Sequence, residues 1–458
     1  MKFNYDKNSK ESILEYSKQF IDKSLYKILD DGAISILEEK INEYKGKRKG
    51  LLGDIVEEYL FGIKNNNDKS PDFKEVGMEL KTTPLKFHKK NKYSAKERLV
   101  FSMIDYMTVV NENWETSSFL EKNKLLLLMF YLFEGNKSLL EYEFKFVKML
   151  NLLSEISDAD IAQIQKDWET IVNKIRRGEA HLLSEGDTLY LGAATKASKS
   201  TNRRPQPYND EGAKPRAFSF KNTYINYLIK KFLGNEDKGY VSLIQDNLPL
   251  TIEENIFSRL KPYIGKSNLE LEKQFHIVYE NKRPKHHRRI LVNRLLGYST
   301  NKIEEFEKAN ITLKAIAIES SGVLKESISF EIFRYKDIIN EVWEESAFYN
   351  QLSSKKFLFL IFKKTKEGDI FKEIRFWNFP VKDLDKAQWV WDETVRRIRD
   401  NKTDKLPSIK EGVVAHVRPH GLKGNDTIET AHGTKEVKKC FWLNAKYIQE
   451  QLKTKDII

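Results

Sequence analysis

Asp72, Glu79 and Lys81 lie in the stretch SPDFKEVGMELKTTP, Ser70 to Pro84. In a strand, side chains alternate between faces. Glu79 and Lys81 therefore point the same way, and Met78 and Leu80 turn to the opposite, buried face. Asp72, seven residues before Glu79, can return by a turn or an adjacent strand. Two carboxylates and a backbone carbonyl suit Mg²⁺, which takes hard oxygen ligands and keeps several waters. A metal held there polarises a phosphate, and a neighbouring lysine helps to orient and deprotonate the attacking water. The competing reading is a salt-bridged strand face, because Glu-x-Lys is common on charged strands.

The surroundings supply further candidates. KGLLGDIVEEYLFG, Lys49 to Gly62, sets Glu57 one helical turn after Gly53 and between the apolar Val56 and Leu60. Taken alone, Glu57 reads as a solvated helix acid. NWETSSFLEKNK adds Lys122 ahead of the apolar run Leu125–Phe133, and alone it reads as a solvated lysine. That run is too short to span a bilayer and reads as a buried strand. The N-terminal residues carry charge throughout and show no apolar signal core, so the cytoplasm is the expected location.

The elements that must position these groups occur twice. FSMIDYMTVVNENWE (Phe101–Glu115) and FEIFRYKDIINEVWE (Phe330–Glu344) share their Phe, Tyr, Asn-Glu and Trp-Glu positions at a constant offset of 229. FIDKS, LLLLMFYLF, WETIVNKIRR and KPRAFSFKNTYINYLI each have a collinear counterpart later in the chain. The expectation is one α/β fold in two tandem copies, residues 1–235 and 251–458, joined by a linker at 236–250. In each, helices open the copy, strands follow, a helix containing Trp168, Val172 and Ile175 comes next, and DTLYLGAAT forms another strand. Lys196–Arg216, polar and basic, reads as a loop.

The chain has 458 residues, of which 79 are Lys or Arg and 67 Asp or Glu, for a net charge of +12. That balance fits a polyanionic partner and also an ordinary Lys-rich surface. The single cysteine, Cys440, rules out an intrachain disulfide and argues against a Cys-based zinc site.

Together, Lys49-Gly50-Leu51-Leu52-Gly53 with Glu57, then Asp72, then Glu79-Leu80-Lys81-Thr82, then Trp114-Glu115-Thr116-Ser117 with Lys122, resemble the family of the mismatch-repair nicking endonuclease MutH and its type II restriction relatives that recognise GATC. Tyr93–Val100, His181–Gly186 and the doubled length look more like the restriction enzymes. The resemblance implies the PD-(D/E)xK restriction-endonuclease-like fold, a central mixed sheet flanked by helices. It implies Mg²⁺ on Asp72 and Glu79 with support from Glu57, Lys81 assisting the nucleophile, and Lys122 near the scissile phosphate. It further implies double-stranded DNA as partner at unmethylated GATC, two sites bound at once, a dimer on DNA, and a cognate methyltransferase acting on the same site without a stable complex.

The family reads bases with an Arg-Pro-Lys loop. Here that place holds Ala194-Thr195-Lys196, so only Lys196 carries over. Lys199, Arg203 and Arg204 follow and could read guanine or contact phosphate alone; Lys49 is a further DNA-contact candidate. In the second copy, Glu305 stands for Asp72, Thr312 for Glu79, Lys314 for Lys81 and Gln351 for Lys122. No cleavage is expected there. Arg418-Pro419-His420 nevertheless keeps the form of the base-reading loop, which implies an effector DNA site. The basic run Asn281–Arg289 fits phosphate contact or a solvated loop; His287 within it lacks an acid partner pattern that would make it a metal ligand. Two other readings stand beside the restriction enzyme: a MutH-like enzyme that nicks one strand with an activating partner, and a DNA-binding regulator without catalysis.

Overall fold

The structure is a computed structural model that describes residues 3–44, 50–64, 70–88, 92–196, 201–234, 240–244, 250–280, 283–284, 286–298, 302–421 and 425–453. Lys49 and Lys199 lie outside them. The described chain divides into two compact units. The first holds nearly everything up to Gly234. The second holds the chain from Ile252 onward, with Tyr240–Ile244 and Leu182–Asp187. Part of the expected linker is thus integral to the second unit: Val241 bridges to Ile303.

In the first unit, β1 (Glu79–His88) lies parallel to β4 (Leu125–Leu132) and antiparallel to β2 (Lys92–Ala95); β4 pairs antiparallel with β5 (Phe144–Asn151). The sheet order is β2-β1-β4-β5. A second sheet has the order β3-β9-β6, from Leu99–Met103, Arg216–Phe220 and Leu191–Thr195. The mixed sheet is as expected, but the strands divide between two hydrogen-bonded sheets rather than one. The run Leu125–Phe130 is wholly buried, because a parallel central strand is covered on both faces. Trp168, Val172 and Ile175 are buried along the helix Asp158–Arg176.

Lys196–Arg216 is not the loop its composition suggests. Within it, β7 (Arg204–Gln206) and β8 (Asn209–Ala213) form a hairpin. Tyr208 takes a positive φ of 61° at its tip, and Gln206 ties the hairpin to the body through Ala180 N–H and the His181 ring. Two anchored partners fix these residues despite their polar composition.

In the second unit, β10 (Ile311–Ile318) is parallel to β12 (Lys356–Thr365), which is antiparallel to β13 (Gly368–Trp377). A further sheet has the order β11-β17-β14, from Ile328–Ile332, Lys439–Leu443 and Ala415–Pro419. A hairpin, β15 (Thr427–Glu429) with β16 (Lys435–Val437), precedes β17. Its apolar centre gathers Phe357, Phe359, Trp391 and Phe441.

Candidate active site

Asp72 reaches Glu79 through a closed turn. Phe73 N–H donates to Met78 O at 2.9 Å and Met78 N–H to Phe73 O at 3.2 Å. Gly77 allows the reversal with φ 64°, a conformation costly for other residues. Asp72 N–H then donates to Glu79 Oε2 at 3.2 Å, and Leu80 N–H to Asp72 Oδ2 at 2.9 Å. The seven-residue spacing is therefore the length of this turn plus one bond on each side.

Glu79 is 2% exposed, although its strand neighbours Met78 and Leu80 fill the opposite face. Burying a carboxylate is costly unless it is paired, and two lysines answer: Lys81 Nζ at 2.5 Å and Lys122 Nζ at 3.6 Å from Glu79 Oε1. Burial still lifts the Glu79 carboxyl above the usual range, against the pull of Lys81; Asp72 adds to the lift.

Lys122 is delivered by the helix Ser118–Asn123. Ser117 caps it, accepting from Leu120 N–H at 3.2 Å and donating to Trp114 O at 2.7 Å. Trp114 is buried and stacks on Phe119. The Trp-Glu-Thr-Ser segment thus acts as scaffold. The same cap recurs at Trp343–Ser346, in the unit that lacks the acids.

Glu57 stands where the helix Leu51–Ile55 opens into the π-helical turn Val56–Leu60. Such turns often mark functional positions. Ile55, Val56 and Leu60 pack into the same core as Met78 and Leu80, and the helix passes so close to β1 that a Cβ on Gly53 would stand 3.4 Å from Thr82 Oγ1. Burial first, then the charge of Asp72, raises the Glu57 carboxyl to about 7; Lys81 opposes this.

The structure therefore brings Asp72, Glu79, Lys81 and Lys122 together, with Glu57 in electrostatic reach. Among the described residues, no three His, Cys, Asp or Glu side chains form a closed metal cage. The fit to a metal rests on the donor set: hard oxygens of which two carboxyls are held high, first by burial and then by the charge of Asp72. That suits a hard divalent ion held by one or two carboxylates and otherwise by water.

Other sequence candidates are placed apart from this cluster. Lys196 directly follows β6, its N–H bound to Pro215 O; Arg203 and Arg204 are exposed at the β7–β8 hairpin. In the second unit, exposed Arg418 lies 3.7 Å from the Trp442 ring and His420 packs edge-on against the same ring, with Pro419 paired to Lys439. The basic run near 281–289 is largely engaged internally: Arg283 pairs with Glu272, Arg288 with Asp369 at 2.7 Å, and Arg289 donates to Leu313 O at 2.9 Å. His287 bonds Pro284 O and lies 3.9 Å from Asp369.

One residue the sequence reading passed over is Asp167. It is buried and accepts from the N–H groups of Leu189, Tyr190 and Leu191, which fixes the entry to β6. Its only sequence signal is an acid on the apolar face beside Trp168.

At the position of Glu79, Thr312 faces Phe357 in β12, as Glu79 faces Leu126 in β4. Glu305 is 1% exposed and accepts from Ser242 Oγ at 2.6 Å, Leu243 N–H at 2.9 Å and Ile244 N–H at 3.3 Å. It is a structural clasp.

Against known proteins, the chain is 35% identical over 442 residues to the type II restriction enzyme Sau3AI of Staphylococcus aureus, covering 90% of this chain and 89% of that one. It belongs to the family of MutH-related type II restriction endonucleases. The family model for the DNA mismatch repair enzyme MutH matches residues 61–167 and 296–387. The DNA mismatch repair protein MutH of Shewanella sp. (strain MR-7) is 26% identical over 189 residues, 41% of this chain and 81% of that protein. As a type II restriction endonuclease, the chain binds double-stranded DNA and hydrolyses its phosphodiester bonds. Among the described residues no helix is long and apolar enough to cross a membrane.

Proposed function

We propose that the first unit cleaves both strands of unmethylated GATC with Mg²⁺ held by Asp72 and Glu79, and that the second unit is a degenerate copy that binds a further GATC duplex as effector. The observation that carries this is the pair of matched positions: Asp72, Glu79, Lys81 and Lys122 gathered in one unit, Thr312 and a clasped Glu305 in the other. Both sheets run parallel and then antiparallel in the same chain order, and the two segments matched by the family model contain them.

In this reading, Asp72 and Glu79 would hold the ion, and Glu57 takes up or releases a proton beside these carboxylates. Lys81 shares its hydrogen bond between Glu79 and the attacking water and steers that water toward phosphorus. Lys122 holds a non-bridging phosphate oxygen. The ion itself would supply Lewis-acid polarisation of the phosphate. Lys49, Lys196, Lys199, Arg203 and Arg204 contact the cleaved duplex; Arg418, Pro419 and His420 contact the effector duplex.

The test is a digest of unmethylated plasmid in Mg²⁺, with one GATC site or several. Fragments ending at GATC, and faster cutting of the multi-site plasmid, are expected. Intact plasmid overturns the reading. The match to mismatch-repair MutH favours one rival, and nicked circles that appear only with a partner protein would establish it.

A further inference from the structure

Lys314 is the most unusual cation of the second unit. It sits on β10 opposite Phe359, as Lys81 sits on β1 opposite Leu128. Lys81 has Glu79 beside it. Lys314 has no hydrogen-bond or ion-pair partner among the described residues, although it is half-buried. Burial is the main cause that lowers its ammonium, and the charges of Lys355 and Arg289 lower it further. Against these stands only Cys440, and no carboxylate of the described residues.

Arg289 is held in place by its Nη1 bond to Leu313 O, one residue before Lys314. Lys355 precedes β12, touching Gln351 Oε1 at 3.4 Å and the exposed Glu331 at 3.6 Å. Three cations therefore converge where the first unit gathers carboxylates. Lys314, desolvated and without a counter-charge, is costly. Among the described residues Arg289 has only a carbonyl acceptor and Lys355 only an exposed glutamate as counter-charge, and the group that would serve all three is an oxyanion with several acceptor oxygens.

The position also has a neighbour of the right kind. Lys314 and Arg418 both act on the buried thiol of Cys440, and Cys440 pairs with Arg418 across β17 and β14. The cation cluster and the Arg418 loop therefore flank one residue.

We propose that Lys314, Lys355 and Arg289 form a phosphate-binding centre that holds one backbone phosphodiester of the effector duplex without a metal ion. This rests on the reading of the second unit as an effector domain. In the first unit, carboxylates accept phosphate only through a bridging cation; reversing the sign of the cluster removes that need.

The experiment measures binding of a GATC duplex to the full chain in EDTA across a KCl series, for wild type, Lys314→Met and Lys314→Arg. Lys314→Met should weaken the metal-independent binding about tenfold and make the salt slope shallower by about 0.9; Lys314→Arg should restore both. Lys314→Met should also melt no lower than wild type, since it removes an unpaired charge. Unchanged affinity and slope in Lys314→Met overturn the proposal. So does a Lys314-dependent rise in melting temperature with inorganic phosphate while duplex binding ignores Lys314, because the ligand is then a free anion. Cleavage of a one-site plasmid with added duplex separates the levels. If wild type is not stimulated, the effector reading falls and this one with it; if wild type and Lys314→Met are stimulated alike, only the phosphate centre falls.

Discussion

Glu79 and Thr312 occupy the same place in two parallel strand pairs, yet their surroundings have opposite charge. Around Glu79 stand Asp72 and Glu57, balanced by Lys81 and Lys122. Around Thr312 stand Lys314, Lys355 and Arg289, while Glu305, the acid at the place of Asp72, is consumed by backbone and hydroxyl donors. The scaffold is preserved: the Trp114–Ser117 and Trp343–Ser346 caps have the same bonds. The comparison teaches that a sheet and its caps can be kept while the charge around one strand position changes sign; in the proposed reading that sign decides whether phosphate is handled through a metal or directly.

The largest expected effect breaks the symmetry outright. Glu79→Ala should lower plasmid cleavage on the order of a thousandfold or more, because it removes a proposed metal ligand and unpairs the half-buried Lys81 and Lys122. Thr312→Ala should leave the rate unchanged; a comparable loss there would mean that the second unit cuts as well. Lys81→Met should cost about a hundredfold or more, read in single-turnover assays, with duplex binding retained.

The next effect is on stability. Glu305→Ala leaves the buried Leu243 N–H without its acceptor and loosens the bonds to Ser242 and Ile244, which should cost about 1–3 kcal/mol of local stability. Hydrogen exchange at Leu243 and Ile244 should accelerate. Slow exchange in the variant would show that Glu305 is not the clasp and reopen its comparison with Asp72. Arg418→Ala should weaken effector binding about tenfold without changing cleavage of a one-site plasmid.

Much of this was legible in the residues and part was not. Glu79 and Lys81 could be paired because strand alternation is strict. The route of Asp72 could not, since it depends on the Phe73–Met78 bonds and on Gly77. Lys196–Arg216 read as a loop because its residues are polar, whereas Gln206 and the Ala180 backbone make β7 and β8 a hairpin. The basic run before Arg289 read as a phosphate face or a solvated loop because neither the nearby Glu272 nor the distant Asp369 could be matched to it from the sequence. Periodicity reports faces; it does not report which buried donors an acid will meet.

The smallest effect sharpens the electrostatic side of the comparison. With the Glu57 carboxyl raised to about 7, the folded protein keeps between about pH 4.5 and 7 a proton that the unfolded chain gives up. A divalent ion favours the ionised form, so its binding must expel that proton. Metal affinity should therefore rise with pH through this window and level off above about 7, by up to tenfold per pH unit. Calorimetric titration with Ca²⁺ near pH 6.5, in buffers of different ionisation heat, should register proton release in wild type and less in Glu57→Gln. Equal release in both would assign the proton to Glu79, whose carboxyl is also raised. Among the described residues no raised carboxyl acts on Lys314, so in the proposed reading the metal-linked proton comes from the first unit.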